Sequence, residues 1–181
     1  MANSPTLDPR TRPVDPPFSN PAEFDEAWKA RIAHLAAFVD TRGPVMDIGC
    51  GMMWLEPLLV RGNHYIPVDY VRRDHRTLLV DLNTQPLPPA EAEFAFMSGV
   101  LEYVRDVPRL LRQVMARRFR RILLSYCTLE CWWKMPLRRS LNWVSHESLE
   151  DLLNVLLTSY SLVALERFQK HVALVVERRE P

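Results

Sequence analysis

No stretch of this 181-residue chain approaches the roughly 20 consecutive apolar residues that a membrane-spanning helix needs, so a soluble protein without membrane association is expected. An excess of one charge is missing too. Lysine and arginine number 23 against 22 aspartates and glutamates, and a formal charge of +1 offers no field to gather a polyanion. Cysteine is scarce and odd in number: Cys50, Cys127 and Cys131, in a chain that opens without a charged-then-apolar leader. Reduced thiols in a cytoplasm are the expectation. Cys127 and Cys131 have the spacing of half a zinc site, but no second pair accompanies them, and no metal site is expected. No internal repeat is visible.

What is present fits one globular unit: 21.1 kDa with 48% hydrophobic residues suffices for one core and not comfortably for two. Residues 1–20 carry Pro5, Pro9, Pro13, Pro16 and Pro17 with few large apolar groups, and read as a flexible arm ahead of a single domain over 21–181. A first helix is announced by Asn20 as cap, Pro21 in its first turn, Glu23 three residues after the cap and Gly43 beyond its end. Phe24, Trp28, Ile32, Leu35, Ala36 and Val39 supply its buried face. From Val45 onward short apolar runs alternate with helical patterns, the signature of an α/β fold. Strands are expected at Val45–Ile48, Tyr65–Val68, Leu78–Val80, Phe94–Met97 and Arg121–Tyr126. Helices are expected over Met52–Val60, from an Asp106 cap to about Arg117, and from a Ser145 cap onward. Pro86, Pro88 and Pro89 deny a helix to Asn83–Glu93. Ser161–Leu165 and Val172–Val176 flank Gln169-Lys170 as an antiparallel hairpin. The expected fold is Rossmann-like and doubly wound, a mostly parallel sheet with an antiparallel C-terminal hairpin and one crossover helix missing.

The informative segment is Val45-Met46-Asp47-Ile48-Gly49-Cys50-Gly51-Met52, an apolar strand entering a glycine turn. Gly49 and Gly51 lack the side chains that would hold a ligand off the backbone, and a helix starting there would aim free N–H groups into the same crevice. A dinucleotide turn would want a third glycine where Trp54 stands, which counts against NAD and FAD. Asp69 ends the second strand, where a carboxylate can accept from two ribose hydroxyls. Asp81-Leu82 follows the third strand, where a carboxylate can meet an adenine amino group and a leucine can pack on the ring. Ser98-Gly99-Val100-Leu101-Glu102-Tyr103-Val104 leaves the fourth.

With these motifs in this order, the chain resembles class I S-adenosylmethionine-dependent methyltransferases from about Phe24 to Glu177. The resemblance implies S-adenosylmethionine as cofactor, with Asp47, Gly49, Gly51, Asp69, Asp81, Leu82 and Ser98 as the residues that bind it. Asn142-Trp143-Val144-Ser145 is similar to the region before that family's last helix. Two departures stand out: Tyr103 where many relatives have histidine, and the prolines at 86, 88 and 89 where most have a helix. The implied activity is methyl transfer to a small-molecule or glycan-type acceptor. The alternative is a catalytically inactive methyltransferase-like module that binds a protein partner. Ser98-Gly99-Val100-Leu101 stands where enzymes that methylate exocyclic base nitrogens carry Asn/Asp-Pro-Pro-aromatic, so nucleic acid is not the expected partner.

An alcohol acceptor would need a base near the transfer. Tyr103, Glu102 and His146 are candidates, each with an ordinary structural reading beside it, and none is assigned as catalytic. Trp132 and Trp133 can stack on an acceptor or cover the sheet edge, and Arg138 and Arg139 can meet a phosphate or carboxylate. Arg117, Arg118, Arg120 and Arg121 read as a solvated helix end. The acceptor and the oligomeric state are left open by the sequence.

Overall fold

The computed structural model describes residues 18–60 and 62–180. Seven strands, Val45–Ile48 (β1), Tyr65–Asp69 (β2), Leu78–Leu79 (β3), Phe94–Ser98 (β4), Arg121–Tyr126 (β5), Tyr160–Phe168 (β6) and His171–Arg178 (β7), form one sheet in the order β3-β2-β1-β4-β5-β7-β6. The first five run parallel, β7 returns antiparallel to β5, and β6 pairs with β7 as a hairpin. The expected fold class is borne out.

β1 and β5 are buried along their whole length, as parallel strands covered on both faces must be. Alternate residues feed two cores. Met46, Ile48, Ala95, Met97, Ile122 and Leu124 face one, and Val45, Phe94, Phe96 and Leu123 the other. The first core is covered by helices Val107–Ala116 (α2) and Leu149–Leu156 (α4), which present Val107, Leu110, Leu111 and Val114, and Leu152 and Leu156. The second is covered by Trp28–Ala36 (α1), whose Leu35 is fully buried. A short helix at Met135–Ser140 (α3) follows β5.

Caps set the helix starts. Asp106 accepts from the Arg109 amide at 2.9 Å, as expected. Ser148, not Ser145, caps α4, exchanging bonds with Asp151 in a capping box. Ser145 is unavailable because its hydroxyl bonds the Tyr126 hydroxyl and the Leu101 carbonyl. The first helix is divided: Asn20 caps a 3-10 turn at Pro21–Glu23, Phe24 is extended, and α1 begins only at Trp28. The helix expected over Met52–Val60 is instead a run of turns ending in a 3-10 turn at Glu56–Leu58. Met53 has φ +56°, and Pro57 has no N–H to donate, so a regular helix is interrupted twice.

The segment 83–93 is irregular, as its prolines require. Side chains hold it where a helix would hold itself: Gln113 accepts from the Leu87 amide at 3.1 Å, and Arg109 donates to the Leu82 carbonyl at 2.9 Å. Arg120 and Arg121, expected at a solvated helix end, instead form an ion-pair network with Asp40, Glu93 and Glu177. Of the arm expected at 1–20, residues 1–17 lie outside the described residues, while the Phe18 ring packs edge-on against Tyr103 at 5.0 Å. No helix of the described residues is long and apolar enough to cross a membrane.

Leu111→Ala opens a hole in a fully buried face of α2 and is expected to cost about 3 kcal/mol in urea unfolding. Ser148→Ala, which removes an exposed cap, is expected to cost about 1 kcal/mol in the same measurement.

Candidate functional site

The order of the sheet reverses between β1 and β4, and open α/β sheets bind ligands in the crevice at the carboxyl ends of such strands. A cavity of about 440 Å³ opens there. Its floor is the glycine turn. The Gly49 and Cys50 amides both donate to the Val68 carbonyl, at 2.8 and 3.0 Å, and the Gly51 amide donates to Asp69 at 2.9 Å. Gly49 has φ +78° and Gly51 φ +50°, both easy only for glycine. A Cβ on Gly49 would lie 2.4 Å from Val100, and one on Gly51 2.7 Å from the Phe24 ring.

The helix N-terminus expected to aim free amides into this crevice is absent. All three amides of the turn are committed backwards to β2, so the turn offers no phosphate cradle. This sharpens the case against a dinucleotide that the sequence rested on Trp54.

Asp69 is buried at the end of β2, with one oxygen taken by the Val71 amide at 3.0 Å and the other by Gly51 and, at 3.4 Å, by Arg73. The Cys50 thiol also reaches the second oxygen, at 3.9 Å, while the first accepts only the Val71 amide and can take another donor. Asp81 lines the same cavity while accepting from the Asn83 amide and the Thr84 hydroxyl, each at 2.9 Å. Leu82, Ser98 and Tyr103 line it as well. The structure thus brings together Gly49, Gly51, Asp69, Asp81, Leu82 and Ser98.

Asp47 stands apart. Its carboxyl lies under the turn, away from the cavity lining, accepting from the Tyr65 hydroxyl at 2.6 Å, and burial pushes it up to about 7. It supports the turn from beneath and is not among the residues that line the cavity. Of the three candidate bases, only Tyr103 lines the cavity. Its hydroxyl accepts from the Trp143 indole at 3.2 Å, and burial holds it near 12. Glu102 is buried beneath, accepting from the Cys127 amide at 2.8 Å, and burial raises its carboxyl. His146 accepts from Arg138 at 3.1 Å, outside the lining.

Arg138 is not a ligand contact. Fully buried, it donates to the carbonyls of Cys127, Trp132 and Ser145 and ties down the irregular segment after β5. Trp133 is 72% exposed, and Trp132 packs edge-on against Trp143, neither lining the cavity. Among the described residues, no group of three or more His, Cys, Asp or Glu side chains could hold a metal ion.

The sequence reading missed the far wall. Phe18 and Phe24 pack edge-on against Trp28 and tilted against each other, and Arg73 lies over the Phe24 ring at 5.1 Å. Arg31 lines the cavity beside them. Its place in the apolar stripe of Trp28, Ile32 and Leu35 was the signal.

An α/β sheet of this order, with a crevice where the order reverses, is a Rossmann-like fold. A family model described as a methyltransferase domain matches residues 22–168, and the chain belongs to that family. The resemblance to class I S-adenosylmethionine-dependent methyltransferases is borne out. Solved structures share the fold. The 1,6-didemethyltoxoflavin-N1-methyltransferase of Burkholderia thailandensis, with 1,6-didemethyltoxoflavin and S-adenosylhomocysteine bound, is 14% identical with a TM-score of 0.63, over 86% of this chain and 80% of that one. An S-adenosylmethionine-dependent methyltransferase from Mesorhizobium loti is 16% identical with a TM-score of 0.63, over 85% of this chain and 99% of that one. An O-methyltransferase from neocarzinostatin biosynthesis, solved with S-adenosylmethionine and 2-hydroxy-5-methyl naphthoic acid, is 17% identical with a TM-score of 0.60, over 89% of this chain but only 59% of that one. No curated protein matches the chain.

The Asp47 carboxyl gives the site a pH signature. Its folded pKa lies above the ordinary 3.8, so the stability it contributes in neutral form is present below pH 4 and lost as pH rises through about 7. Asp47→Asn stays neutral. Its melting temperature relative to wild type is expected to climb between pH 5 and pH 8, by roughly 2–4 °C per kcal/mol at this chain length. Parallel melting profiles would show that Asp47 ionises normally.

Proposed function

We propose that the chain transfers a methyl group from S-adenosylmethionine to a small-molecule acceptor with a flat, apolar body. The observation that carries this reading is the cavity floor. Its glycine turn admits a ligand to the backbone yet commits its amides elsewhere, which suits a nucleoside cofactor without phosphate. A volume near 440 Å³ falls within the range of small-molecule sites, roughly 300–1,000 Å³.

In this reading Asp69 accepts from the ribose hydroxyls, Asp81 meets the adenine amino group, and Leu82 packs on the ring. Gly49, Gly51 and Ser98 border the amino-acid end. S-adenosylmethionine, when bound, supplies a methyl group already made electrophilic by a sulfonium. The chain's own task is to align the acceptor and exclude water. Phe18, Trp28 and Tyr103 wall the cavity beyond Ser98, and aromatic faces hold a flat acceptor by stacking. Tyr103, with its hydroxyl held near 12, keeps its proton at neutral pH and serves as wall or hydrogen-bond donor, not as base. Acceptors whose nucleophile is already unprotonated, or acidic enough to ionise unaided, fit this lining best. The neighbours from Burkholderia thailandensis and from neocarzinostatin biosynthesis hold small aromatic acceptors, in keeping with this class.

Calorimetric titration with S-adenosylhomocysteine tests the cofactor. Wild type is expected to bind it, and Asp69→Ala to lose at least tenfold in affinity, about 1.4 kcal/mol. Absence of binding by wild type would remove the reading. Incubation of a small-molecule extract with methyl-labelled cofactor tests the transfer. Label is expected in a low-molecular-weight aromatic fraction. Cofactor binding without transfer to any fraction would favour the binding module.

A further inference from the structure

The segment after β5 carries apolar groups that the fold leaves uncovered. Trp133 is 72% exposed, and Leu137, Leu141 and Val144 are exposed by 44%, 43% and 47%. Exposed apolar residues scattered singly are ordinary, whereas a group of them marks a surface that meets something apolar. These do not sit on a slack loop. Arg138, fully buried between exposed Leu137 and exposed Arg139, donates to the carbonyls of Cys127, Trp132 and Ser145 and holds the segment to the sheet.

The charge on this segment has one sign. No acid stands between Glu130 and Glu147, while Lys134 and Arg139 are exposed. Exposed Lys170, from the turn between β6 and β7, adds a third cation, its Nζ 4.3 Å over the Trp132 ring. Among the described residues none of the three enters an ion pair, whereas Arg76 and Arg120 are each held by carboxylates. Exposed tryptophan and leucine beside free lysine and arginine is the composition that lies in a lipid–water interface. Interfaces between proteins are, by contrast, depleted in lysine. A bilayer with anionic headgroups supplies both things the segment lacks, an apolar layer and a counter-charge.

The same segment borders the cavity. Val144 lines it together with Asn142, and Trp143 between them donates its indole N–H to the Tyr103 hydroxyl at 3.2 Å. We propose that this face docks on a membrane surface rich in anionic lipid. Trp133, Leu137 and Leu141 enter the interface, Lys134, Arg139 and Lys170 meet the headgroups, and the cavity lies beside the bilayer. Docking of this kind is peripheral and needs no spanning helix, so it departs from the expectation of no membrane association. It does not depend on the methyltransferase reading.

Co-sedimentation of the full chain with lipid vesicles, with no nucleoside present, tests the proposal. Vesicles of equimolar phosphatidylcholine and phosphatidylglycerol are compared with phosphatidylcholine alone. Wild type is expected to prefer the anionic vesicles by roughly tenfold or more, and to lose most of that preference as salt rises from about 0.1 M to about 1 M. Trp133→Ser combined with Leu137→Ser is expected to weaken binding by about tenfold or more. Lys134→Gln combined with Arg139→Gln is expected to remove most of the preference for anionic vesicles. Leu162→Ser combined with Val163→Ser, an exposed apolar pair on the edge strand β6, is expected to bind as wild type does. Thermal unfolding confirms that each variant folds. The proposal is overturned if wild type does not sediment with anionic vesicles, if the Trp133 and Leu137 variant binds undiminished, or if the β6 variant loses as much. A wild-type dimer in sedimentation velocity, broken by Trp133→Ser with Leu137→Ser and unaccompanied by vesicle binding, would assign the face to a second copy and overturn it as well.

Discussion

The carbonyl of Val68 accepts two amides, those of Gly49 and Cys50, and the rest of the site depends on this double acceptance. It clasps the glycine turn to the end of β2 and turns the peptide planes away from the crevice. The Gly51 amide, bonding Asp69, extends the clasp by one residue. Backbone donors that other nucleotide-binding turns present to a phosphate are here consumed in holding two strands together. Those three amides are therefore not among the donors that the crevice offers.

Polar groups in the interior are resolved in distinct ways. Asp47 is raised to about 7 by burial and lies against a tyrosine hydroxyl. Arg138 has carbonyls of three loop residues around it, which makes one side chain the organiser of a segment with little regular structure of its own. Arg31 and Glu102 share His171 between them without touching, and Glu102 keeps an oxygen unpartnered. Buried polar groups are normally satisfied, and besides Glu102 behind the cavity wall, Asn63, Arg121 and Thr128 each keep an unpartnered atom away from it.

The strands were legible because buried parallel strands are nearly continuous apolar runs, and Val45–Ile48 and Arg121–Tyr126 begin and end where their side chains announce. The order of Asp69, Asp81 and Ser98 after those strands made their convergence legible as well. Helix boundaries were less so. Ser145 and Ser148 are equal as caps until a distant tyrosine claims the first, and no local pattern encodes that contact. The apolar spacing of 52–60 suggests a helix, but the left-handed Met53 and the proline at 57 prevail. Arg31 was hidden by its own helix. A charged residue inside an apolar stripe is the visible trace of a buried cation, but only the tertiary structure tells whether its charge meets a partner or an open space. His171 left no trace at all, standing in a hairpin read only for its turn.

The aromatic wall of Phe18, Phe24 and Trp28 comes from a stretch that precedes β1, while the floor belongs to the sheet. Both hydrophobic cores are built almost wholly from residues after Ile32. The fold and the choice of what enters the cavity are therefore drawn from separate parts of the chain. Substitutions among the wall residues can alter ligand preference while leaving the cores intact, so that specificity is free to drift across descendants of this chain at little cost to its stability.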